Sequence, residues 1–250
     1  MREVLEAVAD GELSPEAAEA ELAGYVTTES GRFDAARERR SGVPEAVLAE
    51  GKSPDEVVGL AATAVETTGR ALVTRIDGET GAALYEQFGE DLVLDERART
   101  AVVHAPSFEV RELDASVAVV TAGTADAAAA GEAAAVLREM GASVERIDDV
   151  GVASIDRILD QREALAGADA AIVAAGREGA LPTVVAGMVD TPVIGLPVST
   201  GYGHGGEGEA ALAGMLQSCT ALSVVNVDAG FTAGVQAGLL ARRLDAARNE

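Results

Sequence analysis

One thiol stands in the chain, Cys219, in the segment Leu216-Gln217-Ser218-Cys219. With no second cysteine it cannot form an intramolecular disulfide. It is either a small core filler or, as a thiolate, a nucleophile. Gly176-Arg177-Glu178-Gly179-Ala180-Leu181-Pro182 holds a charged pair between two glycines. Arg177 has the forked donors that suit a phosphate or carboxylate. Glu178 suits a general base if burial raises its pKa. The plainer alternative is a solvated loop. Val120-Thr121-Ala122-Gly123-Thr124-Ala125-Asp126 is a second small-residue turn entering a helix. Gly123 lets a ligand approach the backbone, and the following helix start attracts an anion; capping by Thr124 or Asp126 is the alternative. Pro197–Gly206 packs Gly201, Gly203, Gly205 and Gly206 around Ser199, Tyr202 and His204. Such bare N–H groups form anion-binding concavities, unless the loop is simply flexible. Asn226 and Asp228, near Gly230-Phe231, bind a ligand or cap the last helix, and capping is favoured on the residues alone.

In the first third of the chain, Asp34, Arg37 and Arg40 recur every third residue before Gly42-Val43-Pro44-Glu45. Gly51-Lys52-Ser53 follows, then Thr74-Arg75. A phosphate loop would need a glycine at position 46, which is Ala46, so the nucleoside-triphosphatase reading fails. Arg37, Arg40, Lys52 and Arg75 remain as surface cations or phosphate contacts.

The elements that must hold these groups fall into two textures. From about residue 114, apolar runs at 116–121, 143–148, 170–175, 193–197 and 222–227 alternate with stretches of helical length at 125–140, 154–166, 179–189, 207–218 and 230–247. Uninterrupted apolar strands are buried on both faces, and their alternation with helices implies right-handed βαβ units in a parallel sheet. Ligands bind such sheets beyond the carboxyl ends of the strands, and every motif in this half is placed there. Residues 1–113 form a smaller mixed α/β domain and 114–250 a three-layer α/β/α domain. In the first, 10–29 reads as a helix opened by Ser14-Pro15, and Ser53-Pro54 opens another to about Thr68. Strands are expected at Ala71–Ile76 and Thr100–His104.

The formal net charge is −23, from 42 acidic and 19 basic side chains, and Lys52 is the sole lysine. Such a surface repels nucleic acid and anionic lipid. It suits a high-salt cytoplasm, where screening shortens self-repulsion; docking of a basic partner is the alternative. Residues 1–10 carry Arg2, Glu3, Glu6 and Asp10, unlike a signal segment. No apolar run reaches the roughly 18 residues of a membrane span. A soluble cytoplasmic protein is expected, with neither membrane nor nucleic-acid partner.

Taken in order, these segments resemble the LarB family. The resemblance rests on Thr121-Ala122-Gly123-Thr124 with Asp126, Asp149-Val150-Gly151-Val152-Ala153, and Gly176 with Glu178-Gly179-Ala180-Leu181-Pro182. It continues through Thr191-Pro192-Val193-Ile194-Gly195, Gly201-Tyr202-Gly203, Met215-Leu216 with Ser218-Cys219, and Val224-Val225-Asn226 with Asp228 and Gly230-Phe231. The Asp34–Glu45 run and Glu50-Gly51-Lys52 belong to it as well. It covers roughly residues 30–245, and the C-terminal part is similar, more distantly, to PurE, the aminoimidazole ribonucleotide carboxylase or mutase.

The resemblance implies a carboxylase of nicotinic acid adenine dinucleotide that acts at the pyridinium C5 and cleaves the phosphoanhydride. AMP and pyridinium-3,5-biscarboxylic acid mononucleotide, a nickel-pincer cofactor precursor, are the implied products. CO2 is the implied co-substrate and a divalent cation such as Mg2+ the implied cofactor. Cys219 is then the nucleophile, with Glu178 and Asp126 moving protons or binding the cation. Gly123, Gly179, Gly201 and Gly203 line the phosphates, and Thr124, Arg177, Ser199, Tyr202, Asn226 and Asp228 contact substrate. Arg37, Arg40, Lys52 and Arg75 offset the field of an acidic protein against an anionic substrate. The PurE relatives imply a homo-oligomer, an octamer in their case.

The chain departs from the family pattern at Val43, at Ala129-Ala130-Gly131-Glu132-Ala133, and at His204 and Glu207. Two other readings compete. PurE activity predicts a shorter chain with a histidine in the segment held here by residues 149–154. A nucleotide-binding module would bind the dinucleotide and release no AMP.

Overall fold

The computed structural model describes residues 2–249 except 16, 17, 19–21, 23, 29, 30 and 202. Two units emerge, Met1–Glu109 and Val110–Glu250, each with its own core.

The first unit begins with α1 (Arg2–Ala9) and a hairpin of β1 (Val26–Thr28) and β2 (Gly31–Phe33). A short α2 (Arg37–Ser41) and β3 (Val47–Leu48) lead to α3 (Pro54–Thr68) and β4 (Arg70–Thr74). Then come α4 (Gly78–Phe88), β5 (Leu92–Asp95) and β6 (Thr100–His104). The sheet order is β3-β4-β6-β5, with β3 parallel to β4 and the other pairs antiparallel. Val57, Leu60, Ala61 and Ala64 of α3 pack on the central strands with Leu84 of α4.

The helix opened by Ser53-Pro54 runs to Thr68, as its start signal predicts. Ser53 Oγ accepts the Glu56 N–H and Glu56 returns a bond to the Ser53 N–H, a reciprocal cap. The expected helix over 10–29, opened by Ser14-Pro15, is met at Pro15, Ala18 and Leu22, with the Ala18 N–H on the Ser14 carbonyl at 2.9 Å, but its ends need correction. Glu12 and Leu13 already turn back on Ala7, and Val26–Thr28 is a strand. Its β-branched residues pair with Gly31–Phe33, and that pairing overrides helix continuation. Part of the expected helix lies outside the described residues.

The second unit is a three-layer α/β/α domain around five parallel strands. These are β7 (Ser116–Thr121), β8 (Ser143–Ile147), β9 (Ala170–Ala175), β10 (Val193–Pro197) and β11 (Ser223–Val224), in the order β11-β10-β9-β7-β8. On one face lie α5 (Ala127–Glu139) and α10 (Gly230–Arg248). The other carries α6 (Ile155–Leu159), α7 (Arg162–Gly167), α8 (Ala180–Met188) and α9 (Glu209–Leu216). Small side chains let α5 and α10 approach closely: a Cβ on Gly234 would lie 2.7 Å from the Ala133 carbonyl oxygen. β7, β9 and β10 are buried along nearly their whole length, as two-sided strands must be. β8 is an edge strand and alternates instead, with Ser143 and Glu145 exposed. Among the described residues no helix is long and apolar enough to cross a membrane.

A candidate active site at the carboxyl ends of the parallel strands

Strand order reverses at β7, whose chain continues to β8 on one side while β9 pairs on the other. Loops leaving neighbouring strands in opposite directions open a crevice at that point. A cleft of about 410 Å3 lies there, lined by the segments that follow β7, β8, β9 and β10.

Glycine brings these segments together. A Cβ on Gly201 would sit 2.4 Å from the Arg177 nitrogen, and one on Gly151 would sit 2.6 Å from the Ala122 oxygen. Neither approach admits a side chain. Asp149 (φ 58°) and Arg177 (φ 48°) hold the left-handed conformation at the ends of β8 and β9. Such strain persists where surrounding structure enforces it, often at functional sites.

Asp126 is the buried acid of the cleft, 4% exposed. Its carboxylate accepts the Gly123 N–H at 2.8 Å. Burial raises its pKa above the usual carboxylate range, and the nearby Asp149 charge raises it further. Backbone N–H groups of Gly123, Ala122 and Gly176 act in the other direction. Glu178 lines the same cleft with a side chain 64% exposed, 3.8 Å from the Arg177 guanidinium. The burial that would tune a carboxyl group is therefore present at Asp126 and not at Glu178.

The sequence reading missed Arg157. It stands in α6, lines the cleft, donates to the Asp149 carbonyl at 2.8 Å and to the Gly151 carbonyl at 3.3 Å, and lies 3.2 Å from the Asp149 carboxylate. It clamps the loop after β8 and partly neutralises the charge beside Asp126. A signal was available, an arginine within the first turn after the Asp149–Ala153 turn. Thr121 completes this corner, donating to Asp148 at 3.1 Å and accepting the Asp149 N–H at 3.0 Å.

Of the other expected residues, Gly123, Thr124, Arg177 and Gly201 line the cleft; Gly179, Ser199, Gly203, Asn226 and Asp228 do not. Gly179 (φ 65°) starts α8 against Ala211 of α9. Asp228 holds the loop after β10 by accepting the Ser199 N–H at 2.9 Å, and Asn226 accepts the Val227 N–H. Neither contact caps the last helix, whose N-cap position, Ala229, makes no side-chain cap bond, so the capping reading is not met. Tyr202 lies outside the described residues.

Cys219 departs from the rule that each motif follows a strand's carboxyl end. It is exposed but precedes β11, outside the cleft lining. Its neighbour Ser218 bonds Thr183 of α8, and Leu216 is 66% exposed beside it.

The four cations of the first unit each have a partner within it. Arg37 pairs with Glu45 at 2.7 Å, Arg40 with Asp34 at 2.5 Å and Arg75 with Glu50 at 3.1 Å. Lys52 donates to the Leu48 carbonyl at 2.6 Å.

A five-stranded parallel sheet with a buried acid and two arginines in a cleft at its switch point, preceded by a smaller mixed α/β unit, makes this a three-layer α/β protein with its candidate site at the strand ends. Residues 116–250 match the AIR carboxylase family and residues 25–105 match the LarB/PurE-like N-terminal domain. An uncharacterized protein of Methanocaldococcus jannaschii is 38% identical over 218 residues, covering 84% of each chain. The chain belongs to the LarB family, with a PurE-like C-terminal domain.

Proposed function

We propose that this protein carboxylates the pyridinium ring of nicotinic acid adenine dinucleotide at C5 and hydrolyses its phosphoanhydride, releasing AMP and pyridinium-3,5-biscarboxylic acid mononucleotide. The observation that carries the reading is the pairing of a LarB/PurE-like N-terminal domain with an AIR carboxylase domain, whose cleft holds the buried acid Asp126.

A pyridinium is electron-poor and does not attack CO2. Addition of the Cys219 thiolate at C4 forms a C–S bond and leaves an enamine whose C5 is nucleophilic. C5 then bonds to the carbon of CO2. A base removes the C5 proton, the electron pair restores the aromatic ring, and the C–S bond breaks to return the thiolate. Net, one CO2 enters and one proton leaves. Water separately splits the phosphoanhydride. Asp126 is the proton-transfer group of this scheme, because a carboxyl group with a raised pKa exchanges protons nearer neutral pH. Arg177 and Arg157 supply positive charge beside the phosphates.

Cys219 is outside its own chain's cleft lining; in this proposal the thiol comes from a neighbouring copy in a homo-oligomer. No cluster of three metal-ligating side chains occurs among the described residues. A magnesium ion would arrive on the substrate phosphates, with at most one or two carboxylates of the chain, the usual habit of that ion.

The test is incubation with nicotinic acid adenine dinucleotide, bicarbonate and magnesium at high salt, followed by mass spectrometry. AMP and a doubly carboxylated ring are expected, with both lost in Asp126→Asn and ring carboxylation lost in Cys219→Ala. Mixing these two variants restores turnover if the site is shared between copies. Unchanged carboxylation in Cys219→Ala overturns the covalent step. Turnover of an aminoimidazole ribonucleotide in place of the dinucleotide moves the assignment to PurE activity.

A further inference from the structure

The first unit has a hollow of its own, about 590 Å3, between the first two turns of α4, strand β5 and the turn from β5 to β6. That lies within the roughly 300–1,000 Å3 of small-molecule sites. Its floor is apolar, with Ile76 and Leu94, and the Tyr85 ring stands on one wall, 59% exposed. Its charged end carries Asp77, Glu96 and Arg99.

Arg99 is not a loose surface cation. Its Nε donates to the Ile76 carbonyl at 2.8 Å and its Nη2 to the Arg75 carbonyl at 3.1 Å. The Ile76 N–H returns a bond to the Arg99 carbonyl at 3.1 Å. Both Arg75 (φ 60°) and Arg99 (φ 56°) are held left-handed to make this clasp. The guanidinium is thus fixed in advance, and among the described residues its Nη1 edge has no acceptor. Asp77 accepts the Thr80 N–H at 2.8 Å, and its charge also interacts with that of Arg99. Glu96 is an exposed carboxylate on the opposite side of the sign balance. The hollow therefore offers a fixed cation, an accessible anion, an apolar floor and a ring.

We propose that this hollow binds a small zwitterion with an apolar side chain, of the α-amino-acid class. The ligand carboxylate takes the Nη1 edge of Arg99 and the Gly78 N–H at the start of α4, where a helix leaves its first donors unpaired. The ligand ammonium faces Glu96. The side chain lies on Ile76 and Leu94 against the Tyr85 ring.

Calorimetry on the full chain tests this with leucine, methionine and phenylalanine, and with 3-methylbutylamine and 4-methylpentanoate as analogues lacking one charge. At least one zwitterion should bind, and each single-charge analogue should bind about tenfold or more weakly, the usual loss for one charge-assisted hydrogen bond. Glu96→Gln, at an exposed position, should weaken binding to a similar degree. Ala82→Phe, which fills the hollow from the surface of α4, should abolish it and serves if Arg99→Met does not fold. The proposal is overturned by no heat for any zwitterion up to about 10 mM. Equal binding of the amine alone, or binding unchanged in Ala82→Phe, overturns it too.

Discussion

Asp126 joins two facts that rarely coexist in a carboxyl group at a cleft: it is buried, and it faces another acid, Asp149. Its folded pKa is raised above the unfolded value. The stability it contributes is therefore fully present below the ordinary Asp range and is lost as pH rises through the raised value. Asp126→Asn keeps an acceptor for the Gly123 N–H but cannot ionise. Denaturant midpoints measured from about pH 4 upward should show the variant gaining on the wild type across that window. A constant difference at all pH values would mean that Asp126 titrates normally. Arg157→Gln should move the wild-type transition upward in pH, because Asp149 then faces Asp126 without its 3.2 Å partner. If Asp126 carries the proton of the proposed reaction, Asp126→Asn also lowers turnover by about 100- to 10,000-fold.

At the scale of elements, the glycine turns make stronger statements than the side chains around them. Gly201 and Gly176 let two loops touch backbone to backbone, so Gly201→Ala must displace the Arg177 segment. A loss of about 1–3 kcal/mol is expected for such overpacking, read by thermal melting, together with weaker ligand binding in the cleft. In the first unit, Ser53→Ala removes an N-cap and its reciprocal bond to Glu56, at about 1 kcal/mol. The same elements explain what the sequence disclosed. β7, β9 and β10 were legible because strands covered on both faces read as continuous apolar runs, and their loops could be assigned to one edge of a parallel sheet. β8 was placed but not its half-exposure, since Glu145 and Arg146 mark an edge only once the order of strands is known. The hairpin at Val26–Phe33, α2, β3, α4 and β5 were not found. They are short or lack a clean period, and β3 is set only by its parallel pairing with β4, more than twenty residues further on. Among site residues, Gly123 and Asp126 announced themselves by turn chemistry. Arg157 acts through the loop it clamps, and only the fold brings that loop to the cleft.

For the whole molecule the dominant quantity is charge. The arginines that pair with acids, such as Arg70 with Glu38 and Arg248 with Asp169, leave a net −23 unopposed. At about 0.1 M salt the screening length is ~10 Å, and at about 1 M it is ~3 Å. Repulsion among surface carboxylates opposes the compact state more than the expanded one. Raising potassium chloride from about 0.1 M to about 1 M should therefore stabilise the fold. Each kcal/mol of repulsion removed raises the melting midpoint by about 2–4 °C for a chain of this size. Chloride is the right anion for the measurement, because sulfate strengthens apolar burial by exclusion and would raise the midpoint of an uncharged protein as well. A midpoint that stays flat in chloride and rises only in sulfate would mean that the acidic surface is neutral to stability. Its purpose would then lie in solubility, or in a basic partner whose binding chloride should weaken.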